Sequence, residues 1–291
     1  DMRKPGLGAE PRAGMVRLDW LFKDLTAKYL GAMPAVQMAR GSGHVDGREF
    51  GLQLASATVG GLQLSEGSLH VADFGDKAPI LDVEFVAHGA VRQALALLDS
   101  KPFEFSQALG LRPEDAAGNS ATRARLRVPL RDDLGLAQIG FSAAVNVADL
   151  ALARLPGGYT LHDGAFTLMA EQSGLQLSGR GSVNGVPLNL SWKREFQPAR
   201  DAPGDHLTVH GKMTPAHMQA LGMPPLPRLR GVVDMAVSID AYDDGTRRGA
   251  GRFDLTAAAV DLNEIGWRKP NAAPATMNLT FQTGANGEIQ I

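Results

Sequence analysis

The amino-acid sequence predicts an all-β protein, an elongated array of antiparallel strands in which one structural unit recurs along the chain. Three observations lead there. Short apolar–polar alternations fill most of the sequence, and its 34 glycines fall repeatedly between them. Helical periodicity is confined to three short stretches. A set of sequence landmarks returns in a fixed order.

The alternation is explicit in several places. Ile139, Phe141, Ala143, Val145 and Val147 share one face of a segment. Leu188, Leu190 and Trp192 alternate with Asn189, Ser191 and Lys193, and Val233, Met235, Val237 and Ile239 alternate with Asp234, Ala236, Ser238 and Asp240. Met277, Leu279 and Phe281 do the same against Asn278, Thr280 and Gln282. Period two with one apolar and one polar face marks antiparallel strands covered on one side. The template gives on the order of fifteen strands. Asn184-Gly185 between two such segments predicts a two-residue hairpin turn, because both residues tolerate positive φ.

Three stretches are predicted as helices. Val91, Ala94, Leu95 and Leu98 follow i, i+3, i+4, i+7 spacing, so 90–99 reads as a short amphipathic helix. A second helix is predicted near 103–110, with Gly110 ending it. Thr214-Pro215 opens a third over 214–222, and Gly222 closes it. These are too short to cover a sheet of this size.

The landmarks organise the chain. Asp-Leu ends an apolar segment at Asp24-Leu25, Asp149-Leu150 and Asp261-Leu262. About 25 residues later comes Gly51-Leu-Gln-Leu54, then Gly174-Leu-Gln-Leu177, then the variant Gly287-Glu-Ile-Gln-Ile291. His88-Gly89 and His210-Gly211 follow the first two at matching distances, and each runs toward a predicted helix. Residues 1–13 read as a polar tail, 14–137 as a first β-unit, 138–249 as a second and 250–291 as the start of a third, truncated one. Repeated supersecondary units imply stacking into an elongated array. Two β-sandwich domains side by side are the alternative.

Composition narrows the function. The 291 residues are 44% hydrophobic and 21% charged, so the chain is globular, and its formal charge of −2 offers no general attraction for nucleic acid. No cysteine is present, which removes disulfides, thiolate nucleophiles and thiolate metal sites. No apolar run approaches the roughly 20 residues that span a bilayer. No signal-peptide pattern is visible, and the chain reads as an excised segment of a longer protein.

The catalytic candidates reduce to structure. No two histidines stand in an i, i+4 helical pair with a glutamate between them, and His206, His210 and His217 are a weak metal candidate beside a solvated-face reading. Gly179-Arg-Gly181-Ser-Val-Asn-Gly185 lacks the lysine and the strand–loop–helix setting of a phosphate loop. Asp132-Asp133 and Asp243-Asp244 read as turns, and Asn278-Leu-Thr280 as a fortuitous sequon. Arg123, Arg125 and Arg127 lie on one strand face, which reads as solvated and is the best candidate for a headgroup or partner contact. No pair of carboxylates stands out as a glycosidase site. The chain is expected to be no enzyme, with no cofactor and no metal.

What remains is a long apolar surface. Its candidate lipid-binding positions are Phe141, Val145, Phe166, Leu168, Leu175, Leu177, Leu188, Leu190, Trp192, Val233, Met235, Val237, Ile239, Phe253, Leu255, Met277, Leu279 and Phe281. Either the sheet packs on itself as a sandwich or barrel, or it curls into a trough holding an apolar ligand.

Several segments resemble the AsmA-like superfamily, within it the YhdP-type branch of bacterial envelope proteins, with TamB a more distant relative. They are Gly89-Ala-Val-Arg-Gln-Ala-Leu-Ala-Leu-Leu-Asp99, Ala121-Thr-Arg-Ala-Arg-Leu-Arg-Val-Pro-Leu130, Gly185-Val-Pro-Leu-Asn-Leu-Ser-Trp192, and the Leu262 to Pro270 stretch with Gly266-Trp267-Arg268-Lys269-Pro270. The resemblance implies a repeating β-sheet curled into a groove (β-taco-like). It further implies a periplasmic protein anchored to the inner membrane through parts outside this segment. Phospholipid acyl chains would then pass along the apolar inside between inner and outer membranes, without nucleic acid as a partner. The competing expectation is an envelope scaffold with a sealed β-sandwich core.

Overall fold

A computed structural model of the chain describes residues 17–29, 33–47, 49–72, 79–100, 110–131, 138–284 and 289–290. The fold is mostly β, with a 15-stranded antiparallel sheet, a separate 3-stranded sheet and two helices among the described residues. The long sheet begins with β1 (Arg17–Ala27), β2 (Val36–Asp46), β3 (Glu49–Val59), β4 (Leu62–Ala72) and β5 (Ile80–Ala90). After α1 (Val91–Asp99) it resumes with β6 (Ala116–Pro129), β7 (Gly140–Leu152), β8 (Leu161–Glu171), β9 (Gly174–Val183), β10 (Val186–Glu195) and β11 (Asp205–Met213). Then come α2 (Pro215–Ala220), β12 (Leu229–Gly231), β13 (Val233–Ala241), β14 (Arg247–Asp254) and β15 (Ala258–Leu262). The last elements are β16 (Trp267–Lys269), β17 (Thr276–Thr283) and β18 (Ile289–Gln290).

Strand order in the long sheet follows the chain, β1 to β11, then β13, β14, β17 and β18. Each strand pairs with its nearest predecessor and successor in that order, so β1 and β18 are open edges. The sheet is therefore a meander, and the sandwich expectation is not what forms. The second helix expected near 103–110 and the Gly287–Ile291 landmark lie largely outside the described residues. The other two helices form where the periodicity places them. The Thr214 hydroxyl accepts the His217 N–H at 3.2 Å and caps α2, while the Gln93 side chain accepts the Ala90 N–H at 3.1 Å at the start of α1.

The landmarks correspond to physical irregularities. Asp24 and Asp149 both adopt positive φ, at 56° and 54°, and each marks a register shift in its strand. Their partners across the ladder do the same, Met38 in β2 at 51° and Asp163 in β8 at 53°. Between the paired bulges a single pair holds in each case, Leu25 with Ala39 and Leu150 with Gly164. Aspartate is tolerated in left-handed backbone, and a bulge bends its strand. The hairpin turns match as well. Gly60-Gly61 joins β3 to β4 with φ of 56° and 86°, and Asn184-Gly185 joins β9 to β10 with φ of 48° and 79°. Both have the two positive φ values of the turn whose twist suits a hairpin.

The third landmark behaves differently. Asp261-Leu262 lies in β15, within the 3-stranded sheet β12–β15–β16 rather than the long one. That small sheet continues three long-sheet strands past a bend. Its order repeats that of β13, β14 and β17, and the breaks fall at Gly231 (φ 92°), at the 255–257 turn and at 270–275. The Asp254 carboxylate accepts the Thr256 N–H at 2.8 Å and fixes the middle break. Lys269, almost fully buried, donates to the Ala258 carbonyl at 2.7 Å and the Pro270 carbonyl at 3.1 Å, tying the bend together.

Glycines on the apolar side of the sheet accept large neighbours. A methyl group on Gly179 would lie 2.6 Å from a ring carbon of Phe166 and 2.7 Å from that residue's Cα, whereas on Gly140 it would meet nothing nearer than 3.5 Å. Gly179→Ala is therefore expected to destabilise the fold by about 1–3 kcal/mol through overpacking. Gly140→Ala should leave stability within about 0.5 kcal/mol of the parent. Urea denaturation of the two variants against the parent checks the contrast.

Candidate functional site: the apolar face of the long sheet

Cross-strand register joins the alternating residues into continuous rows. One row runs Ala57, Leu64, Ala87, Thr122, Val145, Leu168, Leu177, Trp192, Leu207, Ile239, Gly249 and Phe281 from β3 to β17. Beside it run Phe166, Gly179, Leu190, Val209, Val237, Gly251 and Leu279. Toward the β1 edge lie Trp20, Gly43, Leu52, Leu69, Val83, Leu126 and Phe141. Every predicted candidate that belongs to a paired strand thus falls on one face of one sheet. Glycines in these rows lie beneath rings from the next strand: Gly41 under Phe22, Gly43 under Trp20, Gly249 under Phe281. A ring laid across a glycine covers the bare backbone and flattens the surface.

The opposite face is polar, and across β4–β6 its charges pair. Glu84 meets Arg123 at 3.4 Å and Arg125 at 3.1 Å, while Arg127 lies 3.9 Å from Asp82. Hydrogen bonds from Arg125 and then Arg123 hold the Glu84 carboxyl below its ordinary range. The arginine row expected as a contact candidate is therefore engaged with acids on adjoining strands. His206 Nδ1 lies 2.6 Å from Asp240, and its Nε2 lies 3.2 Å from the Thr208 hydroxyl. This resembles an acid–base–hydroxyl relay, but the neighbouring N–H groups belong to the sheet ladder and none is aimed at a developing oxyanion. Among the described residues no group of three or more metal-ligating side chains is assembled, and no helix is long and apolar enough to cross a membrane.

The apolar face is covered at one end of its strands and open at the other. At the covered end, Ala94 and Leu97 of α1 pack on Val59, Leu62, Leu64 and Ala87. Val91 and Leu95 reach Ala116, Leu152, Leu161 and Phe166. Met218 of α2, with Ala258 and Leu229 of the small sheet, closes over Val186, Leu188, Met213, Val233 and Met235. Polar links hold this cover: the Asn184 amide donates to the Ala220 carbonyl at 2.9 Å and the Tyr159 hydroxyl to the Leu221 carbonyl at 3.3 Å.

Burial grades along β10 and β13 away from that cover. In β13, Val233 is 1% and Met235 4% exposed, whereas Val237 and Ile239 are only partly buried. In β10, Val186 and Leu188 are buried, while Leu190 and Trp192 are not fully so. Phe141, Val145, Leu168, Leu175, Trp192, Leu207, Ile239, Leu279 and Phe281 join none of the buried clusters. Phe166 is the one buried aromatic residue among the described residues, and Met277 is exposed. A sealed core of this width would bury its largest side chains first.

The predicted candidates therefore divide. Phe166, Leu188, Val233 and Met235 belong to the covered core, with Phe253 and Leu255 packed against it; Leu255 sits in the turn after β14. Leu177, Leu190 and Val237 are transitional. The remaining candidates line the open part, except Met277, which lies exposed in the row of Met235 and Phe253 at the covered end. Sequence reading missed Leu207 and Val209 of β11 and the whole β1–β6 portion, including Leu52, Leu69, Val83, Phe85 and Leu126. Their signal was available in runs such as Phe50-Gly-Leu52-Gln-Leu54.

At the open end lies a polar rim. Arg194 pairs with Asp205, Asp205 with Ala241, Ala241 with Arg247 and Arg247 with Thr283 across the ladder. The Trp192 indole N–H donates to the Asp205 carboxylate at 2.9 Å, and Arg194 lies 3.9 Å from it.

No protein-family model, curated protein or solved structure matches this chain.

The gradient of burial makes a measurable contrast. Met213→Ala, at a fully buried position, is expected to cost about 2–5 kcal/mol. Ile239→Ala, on the open part of the same face, is expected to cost under about 1.5 kcal/mol. Equal losses in urea denaturation would mean that the face is packed uniformly.

Proposed function

We propose that this chain is a non-enzymatic lipid-handling segment whose long sheet curls so that its apolar face shields phospholipid acyl chains. The observation that carries the reading is the continuous apolar row across β3–β17, left outside the buried clusters over its open half. An apolar band of this extent is unfavourable in water at about 25 cal/mol per Å², so something of matching chemistry is expected to cover it. Acyl chains suit it because the face offers length and few hydrogen-bonding groups. The resemblance of 89–99, 121–130, 185–192 and 262–270 to YhdP-type envelope proteins supports the same reading. On that resemblance the segment works in the periplasm, within a protein anchored in the inner membrane, and acyl chains move along the groove between the two membranes.

Native mass spectrometry after incubation with phospholipid vesicles tests the proposal. The parent protein is expected to carry phospholipid, and Ile239→Asp is expected to stay folded and lose it at least tenfold. Val233→Asp, which places a carboxylate in the buried cluster, is expected to unfold the protein instead. A parent chain that carries no lipid and takes up no fluorescent phospholipid would sink the reading.

A further inference from the structure

Across the described paired positions of the apolar face, charge occurs at Arg194, Asp205 and Arg247, and nowhere else. These residues come from β10, β11 and β14 and share one terminal row with Ala241, at the end away from the helices. The corresponding end of the first strands is apolar, with Phe50, Val71, Leu81 and Val128 in a row. Val71 in that row is 4% exposed and its neighbours are half-buried, whereas Arg194 and Arg247 are exposed.

We infer that this row seats the phosphate of a phospholipid headgroup, with the acyl chains laid along β10–β14 toward the covered end. The inference rests on the acyl-groove reading and adds to it a headgroup position and a polarity of binding. The row carries a net charge of +1, which complements a phosphodiester monoanion. Arg247 makes no ion pair or hydrogen bond among the described residues, so its guanidinium is available. Arg194 reaches Asp205 only by a long 3.9 Å approach to Oδ2, while the Trp192 indole N–H donates to Oδ1. Guanidinium groups match phosphate oxygens in a two-point fork. The two arginines stand about 14 Å apart at the backbone, three strand spacings, with Asp205 beside Arg194 and Ala241 beside Arg247, and the small Ala241 leaves the room on the Arg247 side.

From Arg194 the open track runs about 13 Å at the usual rise, past Trp192 to Leu190, before α2 and the small sheet cover Leu188 and Val186. That length seats the headgroup-proximal part of an extended acyl chain. Trp192 stands where apolar track meets polar rim, the setting in which an indole has one wet and one apolar side.

The test compares capture of phosphatidylglycerol with capture of diacylglycerol bearing identical acyl chains, each as a fluorescent trace in neutral carrier vesicles. The parent chain is expected to take phosphatidylglycerol about tenfold more than diacylglycerol. The double variant Arg194→Gln/Arg247→Gln should bring the phospholipid down to the diacylglycerol level, with diacylglycerol capture unchanged. Arg252→Gln, on the opposite face, should behave as the parent. Equal capture of both lipids by the parent, or undiminished phosphatidylglycerol capture by the double variant, overturns the headgroup site and leaves the acyl groove standing. Capture of neither lipid overturns both. Inorganic phosphate in millimolar excess is expected not to compete; if it abolishes the preference for phosphatidylglycerol, the row is a free-phosphate site and the headgroup assignment falls.

Discussion

A sheet whose strands each satisfy their backbone hydrogen bonds with chain neighbours needs no second sheet for its ladder, but it does need a cover for whichever face is apolar. That constraint governs the rest of the molecule. The ladder runs through fifteen strands with open edges, and side-chain alternation places nearly every Leu, Val, Ile and Phe of the described strands on the same side. Two helices and a three-stranded sheet cannot cover such a width. They are gathered instead at one end of the strands, where they make three local clusters, and the other end keeps its apolar rows partly open.

The cover and the sheet are made from the same strands. Paired bulges at Asp24 with Met38 and at Asp149 with Asp163 bend two strand pairs without breaking them. In the third instance the strands break altogether, at Gly231, at the 255–257 turn and at 270–275, and their continuations become the small sheet that helps to close over Val233 and Met213. Positive φ at Gly231 and Ala272 marks two of those three breaks, so local backbone turns give the meander its covered end. Rings laid across glycines keep the uncovered portion smooth, at the cost of glycine's weaker strand propensity.

The polar face contributes specificity of register more than stability. Exposed pairs such as Arg123 with Glu84 are individually worth little, because water screens them and long side chains lose entropy in forming them. Like charges placed opposite one another by a slipped register would repel, so the alternating acids and bases favour the observed pairing. The same cancellation makes Arg123, Arg125 and Arg127 poor candidates for binding an anion. On the rim of the apolar face Arg247 differs, since it has no acid opposite it in the ladder.

The sequence by itself determined which residues share a face, where α1 and α2 begin, and that Asn184-Gly185 turns a hairpin, because each depends on periodicity or backbone tolerance within a few residues. It also exposed the recurrence of Asp24 and Asp149, though not that the aspartates are bulges. Only the tertiary structure decided that the strands form one open meander rather than a sandwich, that Asp261-Leu262 leaves the long sheet, and that Phe166, Leu188, Val233 and Met235 are sealed while Trp192 and Ile239 are not. Those outcomes depend on register between strands, and every bulge shifts it. Arg194, Asp205 and Arg247 show the reason most plainly. Each reads alone as an ordinary charge at a strand end, and their common row exists only once four hydrogen-bonded strands set them side by side.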